Sequence, residues 1–263
     1  MQENDFYLVD AFSDKTFGGN AAAVCPLEEW LPDETLLKMA QQHNQSETAF
    51  FVRTDGGFEL RWFTTLDEIN LCGHATLAAS HVIFEYLDYP HTEITFTTRF
   101  VGELTVKRSG DWLTLNFPAW STEIVENPPE LLFSALGITV AKEVRVGRDF
   151  MVVLESQQQV EALTPDIGAM LPLDKMVCVT APGEEYDFVS RFFCPGEGVP
   201  EDPVTGSAHS MLIPYWSEKL GKTSLNARQV SYRGGDLRCE LKGDRVLIGG
   251  QATLYLKGRI FLR

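Results

Sequence analysis

Positive charge is scarce in this chain. Its 263 residues carry 22 Lys and Arg against 37 Asp and Glu, a net charge of −15. A field of that sign repels phosphate backbones, which excludes nucleic acid and anionic membrane surfaces as expected partners. An anionic ligand must then be held by local donors. No apolar run approaches the ~20 residues of a membrane-spanning helix. The segment Met1-Gln2-Glu3-Asn4-Asp5 lacks the basic flank and apolar stretch of a signal peptide. The five cysteines (Cys25, Cys72, Cys178, Cys194 and Cys239) contain no closely spaced pair, so reduced thiols in a cytoplasm are expected. His74 and His81 stand seven apart with no neighbouring carboxylate or third ligand in the sequence, and no metal site is expected. Neither a dinucleotide-binding glycine fingerprint nor a P-loop is present.

What the sequence does contain is one pattern written twice. Arg61-Trp62-Phe63, an acidic loop and Cys72-Gly73-His74-Ala75-Thr76 are echoed by Arg191-Phe192-Phe193, an acidic loop and Thr205-Gly206-Ser207-Ala208-His209. Each reads as strand, loop and the start of an apolar helix. The first-turn N–H groups of a helix lack intrahelical partners and carry partial positive charge, so such a start accepts a carboxylate without Lys or Arg. Alternatively, the glycine makes a tight turn and His74 or Ser207 caps the helix. Recurrence of the whole unit suggests two like halves, with an anion clamped in a cleft between the Gly73 and Gly206 turns.

Element by element, strands are expected at Phe6 to Phe12, Thr48 to Arg53, Phe58 to Phe63, Glu93 to Phe100, Leu104 to Lys107 and Trp112 to Phe117. A short helix is expected from Pro32 to Gln42. The stretch from His74 to Tyr86 is apolar nearly all round, the mark of a helix buried on every side. Proline-rich Pro118 to Pro129 sets the boundary between a first domain, 1–118, and a second, 119–263, the last strand being free to return to the first. In the second half, helices are expected at Glu130 to Leu136, Val160 to Met170 and Ser207 to Leu220. Pro214 should kink or break the last. Strands are expected at Glu143 to Val146, Phe150 to Glu155, Met176 to Thr180 and Asp187 to Phe193. A meander follows at Gln229 to Tyr232, Leu237 to Leu241, Arg245 to Ile248, Ala252 to Leu256 and Arg259 to Leu262. The class is α+β, with strands wrapped around one buried helix in each half.

Two acids stand at suggestive places. Glu47 immediately precedes an apolar strand. It is either a solvated strand-end residue or a partly desolvated acid/base whose pKa rises. Asp202 begins an Asp-Pro step, which suits a turn residue as well as a functional one. Four motifs in order, Gly19-Asn20-Ala21-Ala22-Ala23-Val24, Ser46-Glu47-Thr48-Ala49-Phe50, Cys72-Gly73-His74-Ala75-Thr76 and Glu201-Asp202-Pro203-Val204-Thr205-Gly206-Ser207-Ala208, resemble the PhzF-like phenazine-biosynthesis isomerase family over essentially the whole chain.

The resemblance implies the diaminopimelate-epimerase fold of two pseudosymmetric domains, each a strand barrel around a central helix. It also implies a cofactor-free isomerase acting on a small carboxylated metabolite. It casts Glu47 as the proton carrier, with His74 and Asp202 as its catalytic companions and Ser207 in substrate binding, and puts Asn20 close to the cleft; the helix-start N–H groups add Gly73 and Gly206 to the expected substrate-binding set. It is compatible with a homodimer. Related epimerases of this fold use a cysteine at each helix start. Here Cys72 stands at the first, but Thr205, not an acid at neutral pH, stands at the second. A racemase using Cys72 with another acid, and a non-catalytic binding protein on the same fold, are the alternatives.

Overall fold

The computed structural model describes residues 2–263. The chain forms two compact units, Met1–Phe117 with Ile248–Arg263, and Pro118–Leu247. The first contains β1 (Gln2–Ala11), β2 (Asn20–Leu27), α1 (Asp33–His43), β3 (Thr48–Thr54), β4 (Gly57–Phe63), β5 (Glu68–Ile69), α2 (Gly73–Tyr86), β6 (Glu93–Thr98), β7 (Gly102–Ser109) and β8 (Trp112–Pro118). The second contains β9 (Glu123–Ile124), α3 (Glu130–Leu136), β10 (Glu143–Val146), β11 (Phe150–Val153), α4 (Gln157–Glu161), α5 (Ile167–Met170), β12 (Val177–Pro182), β13 (Phe188–Cys194), β14 (Val199–Asp202), α6 (His209–Leu220), β15 (Ser224–Gln229) and β16 (Gly235–Lys242). The division falls within β17 (Arg245–Gly250), and β18 (Ala252–Leu262) pairs antiparallel with β1 in the first unit.

The duplication is exact in its strand pairing. In the first unit β1–β2 is antiparallel, β2–β3 parallel, β3–β4 antiparallel, β4–β6 parallel and β6–β7 antiparallel. The same senses recur in the second unit along β10, β11, β12, β13, β15 and β16. Parallel neighbours need a crossover. In each unit the second crossover carries the buried helix, α2 or α6. The acidic loops also hold a shared device. Each contains a short antiparallel strand, β5 or β14, whose glutamate grips the arginine of the preceding strand. Arg61 donates to both oxygens of Glu68 at 2.7 Å, and Arg191 to both of Glu201 at 2.8 and 2.9 Å. Each guanidinium also lies over a phenylalanine, 5.1 Å from the Phe63 ring centre and 5.0 Å from that of Phe193. Bidentate pairs of this kind have fixed geometry, and they set the loop that leads into each helix.

Several elements depart from the sequence expectation. The helix expected over Val160 to Met170 is two short ones, because Pro165 interrupts and Asp166 restarts the chain by accepting the Ala169 N–H at 3.0 Å. Pro214 neither breaks nor ends α6. The carbonyl it leaves without an intrahelical donor, that of Ser210, accepts the Trp120 N–H at 2.9 Å instead. Helix α6 begins at His209 rather than Ser207, after a turn in which Gly206 and Ser207 carbonyls accept from His209 and Ser210. The strand placed at Gln229 to Tyr232 ends at Gln229, and the last two expected strands are one, since Gly258 stays paired opposite Phe6.

Burial follows the all-round apolar pattern. In α2, Leu77, Ala78, Ala79, Val82 and Ile83 are wholly enclosed, as are Met211, Leu212 and Ile213 in α6. Small residues on α2 let strands approach closely, and overfilling such a site costs about 1–3 kcal/mol. Ala78→Phe should lower stability by that amount in denaturant unfolding; an unchanged midpoint would place the helix outside the core.

Candidate active site

Backbone geometry first brings Asn20 into place. Gly19 adopts φ +61, and a Cβ there would sit 2.0 Å from the Ala11 carbonyl oxygen, so only glycine can make the turn into β2. Asn20 is then the first residue of β2, and it is buried. Helix α1 ends at Asn44 in the left-handed region, and its amide donates to the Ala40 carbonyl. The chain turns through Ser46 and Glu47 into β3, tied to β2 by the Ala23 N–H donating to the Glu47 carbonyl at 3.3 Å. Cys72, extended, caps α2 ahead of Gly73 and His74. Cys72 and His74 are both buried.

His74 is the hub. Its Nδ1 lies 3.1 Å from the Asn20 side-chain amide and 3.5 Å from Cys72 Sγ. Its Nε2 lies 3.2 Å from Glu47 Oε2 and 3.4 Å from Ser46 Oγ. The Glu47 contact is an ion pair lying off the hydrogen-bonding line, since Oε2 is buried and has no hydrogen-bond partner in the protein. Sequence reading did not single out Ser46 for contact with His74; its position one residue from Glu47 was the only available signal.

The electrostatics reverse one expectation. Burial pushes the Glu47 carboxyl up, but the His74 charge beside it outweighs burial and holds it below the ordinary carboxylate value. Burial pushes His74 down, yet Cys72 and the Glu47 carboxylate against its ring lift it well above an ordinary imidazole. Burial, reinforced by the Glu47 charge, raises the Cys72 thiol. The expected upward shift at Glu47 therefore fails, because a cation, invisible as a neighbour in sequence, faces it. The expectation that no carboxylate or third ligating group accompanies His74 fails likewise: Glu47, Cys72 and His74 each offer a ligating atom within 4.8 Å of the others. His81 stands apart from them, with its ring packed edge-on to Tyr86.

The second unit contains a cluster of its own. Asp202 ends β14, and its Oδ2 accepts the Thr205 hydroxyl at 2.5 Å. Gln229, buried on β15, accepts the Thr205 N–H at 2.8 Å and donates to the Asp202 carbonyl at 2.7 Å. It thereby shapes the loop before Gly206 and Ser207, a role its sequence position does not reveal. His209 donates from Nδ1 to the Thr205 carbonyl at 2.9 Å. Burial lowers its pKa to about 4, so it stays neutral at physiological pH.

Comparison with known proteins follows the same lines. Residues 9–258 match the profile of the family described as phenazine biosynthesis-like protein, PhzC-PhzF. A Pseudomonas aeruginosa protein named as an uncharacterised isomerase is 48% identical over 261 residues, spanning 99% of this chain and 100% of its own. The human phenazine biosynthesis-like domain-containing protein is 37% identical over 282 residues, spanning 97% and 98%. A PhzF-family crystal structure from Enterococcus faecalis aligns with TM-score 0.95 at 44% identity over 99% of this chain and 100% of that one. A hydroxyproline epimerase from Agrobacterium vitis aligns at TM-score 0.60 and 11% identity, over 98% and 92%, which is likeness of fold. Among the described residues no helix is long and apolar enough to cross a membrane.

The ion pair gives a pH prediction. His74, raised from 6.5, contributes stability fully below pH 6.5 and loses it as pH rises through its raised value. Glu47, lowered from 4.5, contributes stability above pH 4.5 and loses it as pH falls through its depressed value. Replacing one partner of a shielded pair strands the other charge, at a cost of about 3 kcal/mol. The stability difference between the wild type and His74→Gln should be largest between pH 4.5 and 6.5 and shrink on either side. A difference that stays flat with pH would show that the two groups do not pair.

Proposed function

The chain belongs to the phenazine biosynthesis-like (PhzC-PhzF) family, whose members include named isomerases, and on that premise we propose that it is a cofactor-independent isomerase in which Glu47 moves a proton on a small carboxylated metabolite. The observation that carries the proposal is the Glu47 carboxylate, shielded from water and 3.2 Å from a buried histidine. A base must be ionised to take a proton, and the His74 charge keeps Glu47 ionised. Once protonated, the same carboxyl beside the same cation is a stronger acid and returns the proton readily. One group can thus serve two carbons on a single face of the substrate, as a proton shift requires.

The free N–H groups at the start of α2, at Gly73 and His74, are suited to hold the substrate carboxylate, each charge-assisted hydrogen bond being worth about 1.5–3 kcal/mol. Asn20, beside the His74 ring, is suited to bind polar substrate atoms. Asp202, Gly206 and Ser207 form a second donor and acceptor group at the approach to α6, suited to the same class of ligand. The proposed chemistry needs no metal, flavin or nicotinamide.

A racemase using Cys72 is the competing proposal, and the Cys72–His74 contact is what favours it. Against it stand the raised thiol pKa and the Thr205 hydroxyl, which is engaged by Asp202 where a second acid would be needed. Small carboxylic acids that raise the melting temperature should be followed for hydrogen exchange in deuterated solvent. Glu47→Gln keeps the side-chain shape but removes the base. It should slow exchange by about 100- to 10,000-fold while ligand-induced stabilisation persists. Exchange at the wild-type rate in Glu47→Gln, together with its loss in Cys72→Ser, would transfer the role to the thiol.

A further inference from the structure

We propose that Ser46 is a positioning residue of the Glu47–His74 pair, its hydroxyl taking the hydrogen of the His74 ring and offering its own to the Glu47 carboxylate. Ser46 stands in the turn that enters β3, and its Oγ lies 3.4 Å from His74 Nε2. The other ring nitrogen is engaged elsewhere: Nδ1 lies 3.1 Å from the Asn20 amide and 3.5 Å from Cys72 Sγ. Cys72 and Glu47 thus meet opposite nitrogens of the ring and do not converge on one ion. Nε2 is left to Ser46 and Glu47. The Glu47 oxygen, at 3.2 Å, lies off the line of the N–H and has no hydrogen-bond partner among the described residues. The Ser46 hydroxyl, the other acceptor on that side, receives the hydrogen.

Charge fixes the direction of both contacts. An imidazolium N–H can only donate and a carboxylate can only accept, whereas a hydroxyl does both. Ser46 therefore accepts from Nε2 and donates to Glu47, and it is among the groups that hold the Glu47 carboxyl below its ordinary value. The arrangement suits a base. A hydrogen bond from a charged donor is roughly twice as strong as one from a neutral donor. Taken straight from the imidazolium, such a bond would tie up the electron pair that has to receive the substrate proton. With Ser46 between them, the carboxylate keeps the stabilising charge close by and accepts only from a neutral donor. That consequence for proton transfer rests on the proposed function; the hydroxyl bridge does not, and it is tested without substrate.

The test follows the His74 ring in protein carrying isotope-labelled histidine. Its Cε1–H resonance, identified by its absence in His74→Gln, reports protonation of the ring. In the wild type it should titrate above pH 6.5. Ser46→Ala removes the acceptor and should lower that midpoint by about 1–2 pH units, the equivalent of one hydrogen bond to a charged group. Ser46→Thr keeps the hydroxyl and should retain the wild-type midpoint. A bridge also makes its two partners interdependent. In the Glu47→Gln background, Ser46→Ala should shift the midpoint by clearly less, since independent effects would simply add. If Ser46→Ala does not fold, Ser46→Cys, whose sulfur is a weak acceptor, takes its place in both comparisons. An unchanged midpoint in Ser46→Ala, an equally large shift in Ser46→Thr, or a full-sized shift in the Glu47→Gln background would overturn the proposal. Failure of the isomerase function would leave all of these midpoints where they are.

Discussion

A helix with no polar side has to be enclosed, and each unit is built to meet that requirement. Helix α2 buries eleven of its residues, from Gly73 to Phe84. Enclosure on all sides needs strands to pass around the helix, which the alternation of antiparallel and parallel pairings from β1 to β7 supplies. The side of such a helix offers nothing to a polar ligand. Its N-terminal turn is the one part with unsatisfied donors, so chemistry gathers at Cys72, Gly73 and His74.

The same constraint accounts for the matching parts of the two units. The bidentate pairs Arg61–Glu68 and Arg191–Glu201 fasten the strand that precedes each buried helix to the short strand that leads into it. In α6 the price of enclosure is visible in a different way: a proline inside the helix frees the Ser210 carbonyl, and the backbone of Trp120 satisfies it. A buried carbonyl left without a donor would cost about 1–3 kcal/mol. The two helix starts have nevertheless diverged. The first collects a histidine, a thiol and a glutamate; the second collects Asp202, Thr205 and Gln229 in a closed hydrogen-bonded loop.

His74 shows how the site works as a unit. Alone, a histidine so deeply buried would be neutral, as His209 is. With Glu47 at 3.2 Å it becomes the cationic half of a pair. The two residues therefore set each other's charge, and neither state can be assigned from one side chain by itself.

Much of this was written in the sequence. The hairpin of β3 and β4, the two buried helices, the duplication and the α+β class follow from periodicity and recurrence, because those patterns record which faces of a local element meet water. The four ordered motifs marked Asn20, Glu47, His74, Asp202, Gly206 and Ser207 as candidate site residues. What the tertiary structure alone decided was distance between residues remote in the chain. Glu47 and His74 are separated by a helix start and three strands in sequence and by 3.2 Å in space, which reversed the expected pKa shift. Pro214 was tolerated because Trp120 happens to lie where its lost hydrogen bond can be replaced. Local sequence encodes which groups want burial or a partner; only the packed chain determines which partner each one finds, since charge interactions and hydrogen bonds act through space and not along the backbone.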